Sequence, residues 1–179
     1  MFARTTIFVA VLTGTVVALA LLADATHFGP QTLAFALVLM SVTFLIGVAT
    51  FVRSVAINWE DARWVMGMNR LRHAYLLIVP EVEPFFVTGH DSEADRQSLA
   101  LSLGHGSPQR LANLANSLTT TSSVVAALNS MLAGALASDL GAILGLALAP
   151  IVGLGTGVSL VSAALHVRFA GRFRRKRAP

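Results

Sequence analysis

The chain has 179 residues, of which 55% are hydrophobic and 12% charged, with a mean hydropathy of +0.70. This composition excludes an ordinary soluble domain, because too few charged side chains are present to cover its surface. The absence of cysteine excludes disulfides, thiolate nucleophiles and Cys-ligated metal centres. The composition therefore indicates an integral membrane protein.

Four uncharged windows are long enough to cross a hydrocarbon core of about 30 Å as helices. They are residues 5–23, 28–52, 111–138 and 140–166. The first exceeds the apolar core of a secretory signal, so we expect it to remain as a span. The sequence thus predicts an all-α polytopic membrane helix bundle with four transmembrane helices.

The distribution of Lys and Arg predicts the orientation of these spans. The short connections 24–30 and 138–141 contain neither residue, whereas the central segment 53–110 contains six Arg. Residues 168–177 carry six more basic side chains. Because cytoplasmic loops are enriched in Lys and Arg, both termini and the central segment are predicted to be cytoplasmic.

These assignments divide the chain into four parts. They are the first transmembrane hairpin (1–53), a cytoplasmic amphipathic helical region (54–110), the second transmembrane hairpin (111–167) and a polybasic cytoplasmic tail (168–179). Heavy use of Arg and Ala with a single Lys is typical of a GC-rich bacterial genome, so we expect a bacterial inner membrane. The tail is expected to contact anionic lipids. The candidate side chains are Arg172, Arg174 and Arg175.

Beyond the second span, no Pro or turn cluster interrupts the chain before Pro80, and apolar residues recur at alternating steps of three and four. They form an apolar stripe that consists of Ile57, Trp64, Met68, Leu71, Tyr75 and Ile78, with Asp61 in the one place left between them. The pattern predicts an amphipathic cytoplasmic helix, continuous with the second span or bent after it. The stripe would lie against residues 80–110, on lipid headgroups or against a second copy of the chain. Candidates for contact with a partner or with lipid are Arg63, Arg70 and Arg72.

Three stretches of this segment, residues 58–61, 68–75 and 80–86, carry a resemblance. They resemble the central cytoplasmic signature of uncharacterised bacterial four-helix integral membrane proteins. The resemblance implies a cytoplasmic working segment and no established activity.

The third span is the most polar of the four. Polar residues within a span face protein or water rather than lipid, so this helix is expected to be central in the bundle or beside a pore. The candidates for pore lining or for interhelical hydrogen bonds are Ser122, Asn129 and Ser130.

Small residues four apart let membrane helices approach closely, and the last two spans each carry such a row. In the third span the row is Ser122, Ala126, Ser130, Gly134 and Ser138; in the fourth it is Gly141, Gly145, Ala149, Gly153 and Gly157. The rows predict a tight antiparallel hairpin with a turn at 138–141. Pro150 removes a backbone hydrogen bond and is expected to kink the fourth helix.

Residues 80–110 contain carboxylates and histidines among Gly and Pro. Glu81, Glu83, His90 and Asp91 could take part in a metal site, but no HExxH motif, EF-hand loop or repeated i,i+4 ligand pair is present. Residues 90–95 instead favour the start of a helix, with Asp91 or Ser92 as its N-cap. Phosphate-binding loops and nucleophile elbows are absent from the sequence as well. We therefore predict no catalytic residue, metal or cofactor, and no enzyme activity.

Three functions remain open at this point. The polar third span favours a homo-oligomeric, channel-like protein for ions or small solutes. The charged central segment favours a non-conducting scaffold or regulatory subunit that recruits a partner. A membrane enzyme with dispersed residues is the third. The predicted partners are the lipid bilayer, a second copy of the chain and a cytoplasmic protein; nucleic acid is not expected, because no folded basic face is evident.

Overall fold

A computed structural model describes residues 2–27, 29–86 and 120–177. Within these ranges the secondary structure is helical and contains no strand, which confirms the predicted all-α class. The α-helices are α1 (Phe2–Thr26), α2 (Pro30–Ile78), α3 (Thr121–Ile143) and α4 (Leu148–Arg177), and a 3₁₀ helix covers Pro80–Phe85.

Each of the four α-helices contains a stretch that is long and apolar enough to cross a membrane. The candidate spans cover 22 residues of α1, 23 of α3 and 25 of α4, close to the roughly 20 residues that a bilayer core requires. The described part of the chain therefore has the architecture of a multi-pass membrane protein.

Helix α2 is much longer than one span, with 49 residues from Pro30 to Ile78. Pro30 opens the helix, where a missing backbone N–H costs no hydrogen bond. Val79 directly precedes Pro80, and a residue before proline disfavours helical dihedral angles, so the helix ends there. Of the two predicted alternatives, the structure has the continuous helix.

The chain forms two compact units. The first comprises Met1–Arg53 and Val124–Pro179, and we call its described part the bundle. The second comprises Ser54–Ser123. Its longest described element is residues 54–78 of α2, which we call the α2 extension.

Within the bundle, α1 and α2 are antiparallel neighbours joined by a short connection at 27–29. His27 has a φ of 49°, a left-handed conformation that is common just after a helix ends. Buried hydroxyls of Thr15 and Thr43 hydrogen-bond across the two helices at 2.8 Å, and Thr43 Oγ1 also donates to the Leu39 carbonyl. The hydroxyls are therefore satisfied without water.

Helices α3 and α4 cross at two glycines that have no room for a side chain. A Cβ at Gly134 would lie 2.5 Å from the Gly155 carbonyl oxygen, and one at Gly155 would lie 3.0 Å from that of Gly134. Ser138 Oγ donates to the Ile151 carbonyl at 3.3 Å on the same contact. The α4 side of this crossing therefore follows residues 151, 155 and 159.

The small-residue row predicted for the fourth span is not the face that contacts α3. Ala149, Gly153 and Gly157 are exposed, and a Cβ added at either of these two glycines would meet nothing within 4 Å. The contact is displaced by two residues, which on a helix turns it to another side. Gly141 is buried, but it belongs to α3.

The turn between α3 and α4 also lies later than predicted, at residues 144–147 instead of 138–141. Gly145 has a φ of +72°, a conformation that glycine adopts without a Cβ penalty, so it shapes this turn. Pro150 consequently falls in the first turn of α4, where its missing N–H has no helical partner to lose. The predicted kink at Pro150 therefore has no physical basis.

Candidate functional site

A polar cluster inside the bundle is formed by Asn129 and Ser130 of α3 with Ser162 and His166 of α4. The Asn129 side chain is 0% exposed and Ser130 is 4% exposed. Asn129 Nδ2 lies 3.5 Å from His166 Nε2, and Ser130 Oγ lies 3.5 Å from His166 Nδ1. We call these four residues the polar centre.

Shorter hydrogen bonds determine how the polar centre is organised. His166 Nδ1 lies 2.7 Å from the Ser162 carbonyl oxygen, so an Nδ1–H donates to that carbonyl, and Nε2 is the ring nitrogen that faces the Asn129 amide. Ser130 Oγ donates to the Ala126 carbonyl at 2.7 Å. The serine proton is thus directed to its own helix, and the pair lacks the geometry of a base that activates a hydroxyl.

Asn129 also fixes the approach of the first two helices. A Cβ at Gly47 of α2 would overlap Asn129 Oδ1 and would lie 2.8 Å from Cε2 of Phe8 in α1. Asn129 Oδ1 has no hydrogen-bond partner among the described residues. This oxygen packs where glycine lets the α2 backbone come close, a common arrangement between membrane helices.

An aromatic contact lies beside the polar centre. The rings of Phe51 and His166 meet edge to face, with centroids 4.6 Å apart, and the Phe51 and Phe169 centroids are 6.0 Å apart. Together with Gly47, this contact brings α2 and α4 to the same place on α3. The four bundle helices therefore meet around Asn129.

The predicted polar candidates of the third span are all buried inside the chain. Ser122 is 8% exposed and accepts a hydrogen bond from Asn58 Nδ2 at 3.1 Å within the second unit. Asn129 and Ser130 belong to the polar centre. α3 is also the most buried candidate span. In its apolar stretch of 18 residues, 39% is buried, against 11–22% for the other three spans. These side chains therefore serve contacts between helices.

The α2 extension carries large apolar residues at its surface. Of the apolar stripe, Trp64, Leu71, Tyr75 and Ile78 are 61–76% exposed and Met68 is 47% exposed, while Ile57 is partly buried. A different face of the same helix is buried. It consists of Val55, Trp59, Ala62 and Asn69.

The three arginines of the α2 extension differ in their surroundings. Arg63 and Arg70 are exposed, whereas Arg72 is partly buried and donates from Nη1 to Asn69 Oδ1 at 2.7 Å. Asn69 is only 1% exposed, so Arg72 helps to satisfy a buried amide. Arg63 and Arg70 are the two whose side chains lie at the surface.

The remaining candidate residues lie at the surface or outside the residues whose side chains the structure describes. Glu81 and Glu83 are exposed in the 3₁₀ helix, and His90 and Asp91 lie outside the described residues. Across the described ranges, no group of three or more His, Asp or Glu residues could hold a metal ion. Arg172 is exposed on α4, whose backbone continues through residues 174 and 175. Lipid contact by this basic end stays a prediction.

Comparison with known proteins adds no relative to this picture. No family model matches the chain, and no curated protein or solved structure matches it either. The resemblance of the central segment to bacterial four-helix membrane proteins is therefore not supported by a match, and function has to be argued from the residues themselves.

Sequence reasoning missed His166, the residue that the structure places beside Asn129. In the sequence it marked only the end of the fourth span. A histidine four residues after Ser162 in an otherwise apolar helix was an available signal, because ionisable residues in membrane helices face the bundle interior. Gly47 carried no comparable signal.

Proposed function

We propose that this protein is a non-conducting membrane scaffold or regulatory subunit that docks a protein partner through the apolar stripe of its α2 extension. The observation that carries the proposal is the exposure of five large apolar side chains on this helix, while another face of it is buried. A single exposed apolar residue is ordinary, but a contiguous row of them marks an interaction surface.

The burial of the polar residues in α3 supports the absence of conduction. A pore needs polar groups that face an aqueous path, and Ser122, Asn129 and Ser130 face protein. The channel-like function considered from the sequence would therefore need a different lining. Ion-flux assays on the protein in liposomes should give the rates of empty vesicles for cations and anions. Flux above that level would contradict the proposal.

We further propose that both termini and the α2 extension are cytoplasmic, in a bacterial inner membrane. The support is the distribution of Lys and Arg, with 12 of the 13 basic residues in segments 53–110 and 168–177. A cysteine introduced at exposed His73 should react with a membrane-impermeant maleimide only after the cells are opened. Labelling of intact spheroplasts would reverse the orientation.

Photo-crosslinking tests the docking surface directly. A benzophenone amino acid at Leu71 samples the apolar stripe, and one at His73 samples an exposed position on the opposite side of the same helix. We expect protein adducts in membranes from position 71 and none from position 73. Phospholipid adducts at position 71, or equal protein adducts at both positions, would refute docking through the stripe.

A further inference from the structure

The apolar stripe has the spacing that one helix needs to pair with an identical helix. If its residues are written as heptad positions, residues 61, 68 and 75 are a and residues 57, 64, 71 and 78 are d. From Trp64 to Ile78, about four turns of this 3.5-residue repeat lie on one side of α2 as an exposed row. We propose that the docked partner is a second copy of this chain, paired in parallel through the stripe. This inference rests on the proposed docking function.

Membrane insertion makes the parallel arrangement available. Copies in one membrane share one orientation, so their α2 extensions run in the same direction. Parallel identical helices bring each a or d residue next to the same residue of the other copy. Confinement to one membrane also raises the effective concentration of the two helices. A short coiled coil can therefore form here where it would dissociate in solution.

The area of the stripe fits a small interface. The five exposed side chains would remove on the order of 500 Å² per copy, about 1,000 Å² in total, which is the lower limit for a specific contact. Gly67, beside the stripe, has nothing within 4 Å of the place where a Cβ would be. This open space lets a second helix approach closely.

The charges favour a protein over a lipid surface. Asp61 lies on the stripe itself and is exposed, and exposed Glu60 is next to it. A helix that lies on a lipid surface presents a continuous apolar face, and Asp61 interrupts this one. In a parallel pair, the two copies of Asp61 meet at an a position, where a polar residue lowers stability and sets register. Asp61→Leu should therefore increase pairing.

The lack of native cysteine gives this inference a direct test. Single cysteines are introduced at Met68 and Leu71 on the stripe, and at Arg63 and Arg70, which occupy heptad position c. The full chain is reconstituted at a low protein-to-lipid ratio and oxidised. Because disulfides need Cα atoms within about 7 Å, the stripe variants should give at least about ten times the dimer yield of the c variants.

Second substitutions, compared in matched variants, distinguish specific pairing from chance collisions between copies. In the Met68→Cys protein, Leu71→Asp should abolish the disulfide-linked dimer, whereas Arg70→Asp should retain it and Asp61→Leu should raise its yield. Equal yields at stripe and c positions, or no dimer from either stripe variant, would overturn the inference. Linking at only one stripe position would indicate an antiparallel pair and would overturn it as well.

The outcomes for the inference and for the proposed function can be distinguished. If position 71 gives photo-adducts of a different mass and no disulfide dimer, docking stands and self-pairing fails. If position 71 gives lipid adducts and no dimer, both fail. Dimers at the stripe together with adducts of twice the chain mass support both.

Discussion

The bundle and the α2 extension both bury an amide and expose large apolar side chains, but their apolar surfaces need different explanations. In the bundle the amide of Asn129 is fully buried while valines and leucines cover the outside, as expected for helices surrounded by lipid. In the extension the surface carries Trp64 and Leu71, while the amide of Asn69 is buried. Lipid would cover the first exposed apolar surface, whereas we propose that a protein partner covers the second, and this difference is the basis of the proposed function.

The largest effect is expected where the bundle helices touch. Gly134→Val would force a side chain against the Gly155 carbonyl, which is backbone and cannot move away alone. We expect a loss of unfolding free energy of about 3 kcal/mol or more, the upper part of the range for overpacking. Gly153→Val, with open space around it, should change stability by less than about 0.5 kcal/mol. Reversible unfolding in mixed micelles measures both; equal losses would contradict the contact face.

A charge in the polar centre should have the next largest effect. Asn129→Asp places a carboxylate in a fully buried site, at a cost of about 3 kcal/mol in a membrane helix. Asn129→Leu removes only a long contact to His166 and an oxygen without a partner, so it should cost less than about 1 kcal/mol. The same unfolding assay compares the two variants. A larger loss for Leu than for Asp would show that Asn129 contributes an essential hydrogen bond.

In the α2 extension, the two neighbouring arginines should behave differently. Arg72→Ala removes a donor to the buried amide of Asn69 and should lower stability by about 1 kcal/mol. Arg70→Ala removes an exposed side chain and should leave stability unchanged. Thermal denaturation of the two variants in detergent checks this pair. If Arg70 proves the more important, the assignment of buried and exposed faces on this helix is wrong.

The smallest effect should come from the hydroxyl pair between α1 and α2. In a double-mutant cycle of Thr15→Val and Thr43→Val, we expect a coupling of about 0.6 kcal/mol, the average for hydrogen bonds between membrane helices. A coupling near zero would mean that the two helices pair through van der Waals packing alone.

Some parts of this fold were accessible from the sequence. Uncharged windows of about 20 residues give the four spans, because lipid leaves few alternatives to a helix. The stripe of the α2 extension followed from its 3.5-residue spacing. The contact face of α4 did not, because Gly153, Gly155 and Gly157 alternate along the helix and offer two small-residue faces. Only the position of α3 selects Gly155.

The polar centre shows a second limit. Asn129 was recognisable as a polar residue within a span, and its two possible roles, pore lining and contact between helices, look the same in one sequence. The difference depends on Gly47 and His166, which are distant in the chain and meet Asn129 only after folding. A local sequence pattern does not show which distant residues come into contact after folding.

The most direct test of this account is the access of water to position 129. Asn129→Cys in the otherwise cysteine-free chain is treated with a water-soluble maleimide in membranes, with His73→Cys as the exposed reference. A dry contact between helices predicts labelling at least about a hundred times slower than at position 73, since only local opening would expose the thiol. Comparable rates would show that the polar residues of α3 line an aqueous path and would contradict the account.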